Sequence, residues 1–365
     1  MKRLRILTVV SLLLAVLVYQ LKHPEPATTA AGKGLLLPKK WLKEGSSKQT
    51  PAKDIRPADQ TFLTYPEWFL VFSPAEQAEY FKGHTSTTFP YFIHTLQLWQ
   101  GYHTVYEQIR NNFQFNTGYH VMIWVIGVST TVEYGIKTIY ESIIGGLTNT
   151  APGVKLTEED RFNASYMADY VSFIEKLPWY EFDFMTQLKK LWSETPIQSE
   201  HVLRKLERRY YLTTELLVKA GYGWLIKQGT KSAYEEALLT TAVIQDEPFQ
   251  KTYAPKGVEF GSVSAEGVLY TYPRYADFKN ASTMAAEKGV KFKYIAGNAG
   301  TIMLSYLSDN PVKLPDTVCR FLFSQPLPTR PGKKRFVLAT RVSQLHIVLL
   351  ELKKGGLDLE HVYDY

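Results

Sequence analysis

Residues 119–145 read YHVMIWVIGVSTTVEYGIKTIYESIIG, and the way this stretch faces its surroundings decides what kind of fold the chain can have. Val121, Val125, Val128, Val132, Ile136, Ile139 and Ile143 fall within about 80° of one another on a helical wheel of 100° per residue. A second stripe holds Glu133, Lys137 and Glu141 at successive i,i+4 positions, the spacing of helical ion pairs. A membrane-spanning helix rarely carries three ionised groups and a Thr130–Thr131 pair near its middle. The expectation is therefore a buried amphipathic helix, closely approached along Gly127, Thr131 and Gly135 and ended by Gly145 and Gly146. The alternative is a second membrane span or a re-entrant element.

Upstream, Phe62 to Phe72 is crowded with apolar side chains. Ser73, Pro74 and Glu76 then carry the capping hydroxyl, first-turn proline and carboxylate of a helix start. Between Pro90 and Asn111, Phe92, Leu96, Trp99, His103 and Tyr106 recur at helical spacing and make one face. Downstream, Thr157 with Glu158, Glu159 and Asp160 opens another helix. Further helical stretches are expected over 180–192, 198–228 and 232–245, with connections short enough for antiparallel packing.

After Pro255 the pattern changes. Strands are expected over 267–275, 290–295, 301–307, 318–323, 335–342 and 357–363, with helices over 277–288 and from Ser343 to Gly355. The segment 296–300 reads as a hairpin turn, and no internal repeat is visible. The resulting order, β-α-β-β-β-β-α-β, predicts an antiparallel or mixed sheet with its helices on one face, a ferredoxin-like sandwich with an extra hairpin. The whole chain is thus expected to be α+β. Its expected parts are an anchor at 1–21, a flexible linker rich in proline and polar residues at 22–60, a helical domain at 61–250 and an α+β domain at 255–365.

The anchor is the run Ile6 to Leu21, preceded by Lys2, Arg3 and Arg5. Sixteen helical residues span roughly 24 Å against a bilayer core of about 30 Å, and Leu4 with a snorkelling Arg5 narrows the gap. No small-residue cleavage signal follows at the right distance, so the run reads as a signal anchor rather than a cleaved secretory signal. With the basic cluster held in the cytoplasm, the chain would be a single-pass protein of the inner membrane with its bulk outside. A periplasmic or secreted product of signal cleavage is the alternative.

Composition limits the partners. The formal charge is +7, but the 42 basic residues are interspersed with 35 acidic ones. That balance fits weak attraction to an acidic lipid or cell-wall polymer and not a nucleic-acid groove. One cysteine, Cys319, excludes an intrachain disulfide and a thiolate metal cluster. No cofactor motif is present: phosphate-cradling loop, dinucleotide fingerprint, nucleophile elbow and H-E-x-x-H are all missing.

Three groups invite a chemical reading. His103 and Glu107 share one helical face at i,i+4 and, with Glu133, form the least implausible acid–base set. His84, His94, His103 and His120 lie within 37 residues, yet their spacing guarantees at most two converging ligands, so no metal site is expected. Arg204, Lys205, Arg208 and Arg209 make the densest basic run. Beside Tyr210 and Tyr211 they would suit an acidic polymer or headgroup layer, although a solvated helix face is the simpler reading.

Two phrases, Thr64-Tyr65-Pro66-Glu67-Trp68 and Gly127-Val128-Ser129 followed by Glu133, Tyr134, Lys137, Tyr140 and Glu141, resemble those of a family of uncharacterised bacterial membrane-associated proteins. The resemblance covers about residues 61–150 and brings no activity and no site residues. It implies that the Tyr65–Trp68 corner, extended ahead of Pro66, and the Gly127–Glu141 helix form one unit. The expected function is that of a membrane-anchored binding or scaffold module of the cell envelope. The alternative is an envelope enzyme acting on lipid or cell-wall material.

Overall fold

A computed structural model describes residues 36–42, 45–149, 156–196, 201–233, 239–249 and 254–365, a mixture of helix and antiparallel sheet. The anchor at Ile6–Leu21 lies outside the described residues. Among the described residues no helix is long and apolar enough to cross a membrane.

Helix α1, Gln60–Tyr80, is the axis of the helical half. It is buried on nearly every side, with Phe62, Leu63, Phe69, Phe72 and Phe81 of the following turn all in the core. Pro66 and Pro74 are carried inside it, so neither the extended corner at Tyr65 nor the helix start at Ser73 exists. Burial on all sides outweighs the backbone hydrogen bonds that two prolines remove. Ser73 therefore caps nothing: its hydroxyl lies 2.7 Å from the Tyr134 hydroxyl and 3.1 Å from His94 Nδ1.

Against α1 pack α2 (Tyr91–Ile109), α3 (Thr117–Tyr140) and α4 (Glu158–Ile174), and α4 in turn carries the pair α5 (Phe184–Glu194) and α6 (Val202–Ala233). Helix α3 continues through a π turn, Glu141–Gly145, into Gly146–Thr148. Thr157 opens α4 as expected, with its hydroxyl and the Asp160 carboxylate closing a capping box. The 232–245 helix is not formed at its end. Thr240–Gln245, rich in β-branched residues, is the strand β1.

Among the described residues, eight strands form two four-stranded antiparallel sheets. The first joins β1 to β2 (Glu259–Val263), β3 (Val268–Pro273) and β4 (Phe292–Ile295); the second joins β5 (Thr301–Ser308), β6 (Cys319–Pro326), β7 (Lys334–Arg341) and β8 (Asp358–Tyr363). Helix α7 (Ala276–Glu287) connects β3 to β4, and α8 (Leu345–Lys354) connects β7 to β8. The expected β6–β7 hairpin is present. The expected β4–β5 hairpin is not, because the two strands belong to different sheets and the turn at Ala296 and Gly297 is the crossover between them. A single ferredoxin-like sheet is thereby replaced by two sheets, with α7 packed on α8 and touching β3 of one sheet and β8 of the other.

The two sheets repeat one plan. Their strand orders, β2-β3-β1-β4 and β6-β7-β5-β8, are the same order taken from successive chain segments. The registers coincide as well: Ile244 faces Leu269 and Tyr294 as Ser305 faces Val337 and His361. Each central strand meets a bulge in its last partner, with Lys293 and Glu360 as the extra residues. Each outer pair has one too, at Gly261 and Leu322. Both helices end alike, on glycines of positive φ, Gly289 and Gly356, followed by Val290 N–H donating to Ala285 O and Leu357 N–H to Leu352 O. An internal repeat invisible to the sequence is thus explicit in topology, since the register of a sheet survives when side chains diverge.

The expected 22–60 linker is folded over its later part. Trp41 and Leu42 are buried, Thr301 Oγ1 donates to Trp41 O, Ser46 bridges to Asn298 and Arg56 N–H donates to Ala296 O. Apolar residues hidden among the prolines supply enough burial to strap this segment onto the crossover. The helical and α+β parts also share a core: Tyr65, Phe72 and Trp68 of α1 cluster with Met303, Leu322, Phe323, Val337 and Tyr363.

Candidate functional site: an inverted helix pair over buried charge

Helix α3 is turned the opposite way from the sequence expectation. Val121, Val125, Val128, Val132 and Ile136 are all more than half exposed, Ile136 by 62%. The inward side carries His120, Ile123, Gly127, Thr130, Tyr134 and Lys137. Gly127 is closely approached, its absent Cβ standing 2.7 Å from the Trp99 ring, and Thr131 Oγ1 accepts from Trp99 Nε1 at 3.0 Å. Gly135 has open space instead. Helix α6 repeats the inversion, with Arg204, Lys205, Arg208 and Arg209 buried while Leu203, Leu206, Tyr210, Leu217, Val218, Trp224 and Leu225 are exposed.

The buried charges explain the orientation. Between α3 and α6, Lys137 lies 3.0 Å from Glu133 and 3.2 Å from Glu215, and Lys219 lies 3.1 Å from Glu215 and 3.5 Å from Glu133. Two cations and two anions alternate around a square, and rings of Tyr91, Tyr134, Tyr166, Tyr170 and Tyr211 stand close by. Burial alone would raise the Glu215 carboxyl, yet Lys137 and Lys219 hold it down at about 2. Lys219 and Lys137 likewise lower Glu133, whose side chain is only partly buried.

A second network closes the other end. Arg208 Nη1 donates to Glu141 Oε1 and to Ser86 Oγ, both at 2.6 Å, and its Nε donates to Glu207 Oε2 at 2.7 Å. Arg204 pairs with Asp160 at 2.9 Å, Lys205 with Glu158 at 2.5 Å and Arg209 with Glu159 at 3.0 Å. The four basic residues expected on a surface are thus internal struts joining α6 to α4 and to the π turn of α3. Their partners, Glu158, Glu159 and Asp160, were legible only as a helix start. Beside Glu141 a cleft of about 140 Å³ opens between Thr87, Tyr91, Ile93, Thr138 and Ser142.

The acid–base set does not assemble. His103 is exposed, Glu107 pairs with Arg110 at 2.9 Å, and Glu133 sits in the α3–α6 square with its side chain 40% exposed. No hydrogen bond or ion pair joins any two of them among the described residues. No group of three or more His, Cys, Asp or Glu placed to hold a metal occurs among the described residues either.

The Thr64–Trp68 phrase is where the two halves meet. Thr64 Oγ1 lies 3.1 Å from the Tyr119 hydroxyl, which donates to Glu67, and the Tyr65 hydroxyl donates to Gln325 at 2.6 Å. Burial raises the Glu67 carboxyl, with the Tyr119 hydrogen bond and Arg274 opposing it. Arg274 is held by Asp364 at 3.0 Å, and the next residue, Tyr275, has the strained backbone of φ 62 and ψ −134. Trp68 stacks on His361 at 3.8 Å and on Tyr275 at 6.0 Å. No sequence signal pointed to Arg274, Asp364 or His361.

Neither ring nitrogen of His361 has a hydrogen-bond partner, and burial, with Lys279 and Arg274 adding to it, pushes the imidazole well below its ordinary range. A histidine whose pKa falls on folding adds no protonation penalty above pH ~6.5, where both states are neutral, and destabilises the fold increasingly as pH drops below that value. His361→Phe keeps the stack and removes two buried unpaired atoms. Urea denaturation at pH 8 should show the variant more stable by about 1–3 kcal/mol. The gain should widen at pH 5; a variant less stable at both pH values would contradict this reading.

Comparison with known proteins gives no match. No family model fits the chain, and no curated protein and no solved structure is significantly similar to it. The functional reading therefore rests on the molecule's own geometry.

Proposed function

We propose that this protein is a membrane-tethered module of the cell envelope that works by binding or by holding other components in place. The observation that carries the reading is the mutual neutralisation of the helical half's buried ionisable side chains. Arg204, Lys205, Arg208, Arg209, Lys137 and Lys219 each have a carboxylate partner within the fold. Groups matched this way brace helices and are not poised for proton transfer. In this reading Ile6–Leu21 is the tether, single-pass in the inner membrane with the bulk outside, and the excess positive charge favours an acidic lipid or cell-wall polymer as neighbour. The kinship with uncharacterised membrane-associated proteins belongs to the same proposal.

Protease treatment of intact spheroplasts tests the topology. The proposal expects the bulk of the chain to sediment with membranes and to be digested from outside. Protection from outside, or recovery in the soluble fraction, would overturn it.

One observation favours the enzymatic alternative in altered form. Glu67, raised by burial and hydrogen-bonded to Tyr119, sits half-buried beside Arg274 and the strained Tyr275, a better acid–base candidate than His103 or Glu107. Glu67→Gln keeps the shape and a hydrogen bond to Tyr119. If the protein acts by binding alone, the variant should complement a deletion as well as the wild type does. A null phenotype with unchanged melting temperature would favour the enzyme.

A further inference from the structure

We infer that the outer face shared by α3 and α6 lies on the phospholipid surface of the membrane that holds the tether, with both helix axes in its plane. The two helices run antiparallel, since Glu133 meets Lys219, Lys137 meets Glu215 and Glu141 meets Arg208 in order along them. Each turns apolar residues to the outside, Val128, Val132 and Ile136 on α3 and Tyr210, Leu217 and Val218 on α6, while the ion pairs that join the helices and the core lie on their inner sides. Charge inside and hydrocarbon outside reverses the order that water imposes on a folded chain. Large apolar side chains exposed along two helices joined by ion pairs mark a docking face.

Three features select lipid over a second copy or another protein. Leu21, where the apolar run ends, is separated from Leu36 by fourteen residues, which reach at most about 50 Å when fully extended. The inference rests on the tether reading here, because a tethered body never leaves the bilayer's neighbourhood. Of the formal charge of +7, Lys2, Arg3 and Arg5 account for three, and the +4 left beyond Leu21 attracts anionic headgroups and repels an identical copy. Trp124, Trp224 and Tyr210 are exposed on the face, and their amphipathic rings suit the headgroup layer. Since no described helix is apolar enough to cross, the geometry is that of helices lying flat, their outer sides sunk to the headgroup–acyl boundary.

The experiment uses the full chain in nanodiscs of phosphatidylglycerol and phosphatidylcholine. An environment-sensitive fluorophore is placed at V128C, at L217C and, as a control on the sheet side, at K256C. The native Cys319 is buried, its thiol pushed up to about 11 by burial, so labelling goes to the introduced residue. Lipids brominated on the acyl chain should quench the first two positions roughly threefold more than the control, with blue-shifted emission. Protein that stays with the disc while Val128 and Leu217 report water would overturn the docking face and leave the tether standing. Protein that leaves the disc would overturn both. Shielding without bromine quenching would replace lipid by a second copy if it depends on concentration, and by the N-terminal run if it does not.

Discussion

Arg208→Met is expected to cost about 3–5 kcal/mol of folding stability, among the largest single-residue losses in this fold. Arg208 and Glu141 are respectively 1% and 2% exposed, so the arginine's removal leaves Glu141 and Glu207 buried without their shared cation. Methionine fills most of the space, which confines the loss to electrostatics. Calorimetry should show a melting temperature lower by roughly 5 °C. Adding Glu141→Gln and Glu207→Gln removes the stranded charges and should recover much of the difference. A triple variant no better than the single one would mean that packing, and not uncompensated charge, set the cost.

The second large effect is expected at the joint between the two halves. Arg335 on β7 forms a bidentate pair with Glu360 at 2.6 and 2.7 Å and reaches Glu76 of α1 at 3.2 Å, with its guanidinium 4.1 Å from the Phe72 ring centre. Arg335→Met should lose about 3–5 kcal/mol at pH 7. The deficit should depend on pH. Burial already raises the Glu76 carboxyl above its ordinary range, with Arg335 opposing, so losing the cation raises it further. A carboxyl whose folded pKa exceeds the unfolded one destabilises the fold as pH rises past the unfolded value, and the penalty fades as pH falls. Denaturation of the variant and the wild type at pH 7 and pH 5 should therefore show a smaller gap at pH 5; an unchanged gap would contradict the assignment.

What the sequence made legible follows from how local each signal is. Helices α4 and α8 and the β6–β7 hairpin could be read because a capping threonine, a C-terminal glycine or strand alternation lies within a few residues of what it specifies. Thr240–Gln245 was lost because its pairing with β3 and β4 is a contact across tens of residues. The crossover at Ala296 and Gly297 looked like a hairpin because the same turn chemistry serves both. The repeat of the two sheets hid because bulge positions, not side chains, carry it. The chemistry was least legible where partners are distant: Arg208 and Glu141 are 67 residues apart and Arg335 and Glu76 are 259 apart. The periodicity of α3 was correct, but its sense was inverted. A hydrophobic stripe says that one face differs from the other; which face turns inward depends on whether the charged face meets complementary charge, here Glu215 and Lys219 of α6.

Oxygen accessibility along α3 reads this inversion residue by residue. Spin labels placed singly at each position from Val121 to Lys137 of the full-length protein in lipid nanodiscs would give a periodic profile. Maxima are expected at 121, 125, 128, 132 and 136 and minima at 123, 127, 130, 134 and 137. A profile of the same period with its maxima at 130, 134 and 137 would place the charged stripe outside and contradict the account.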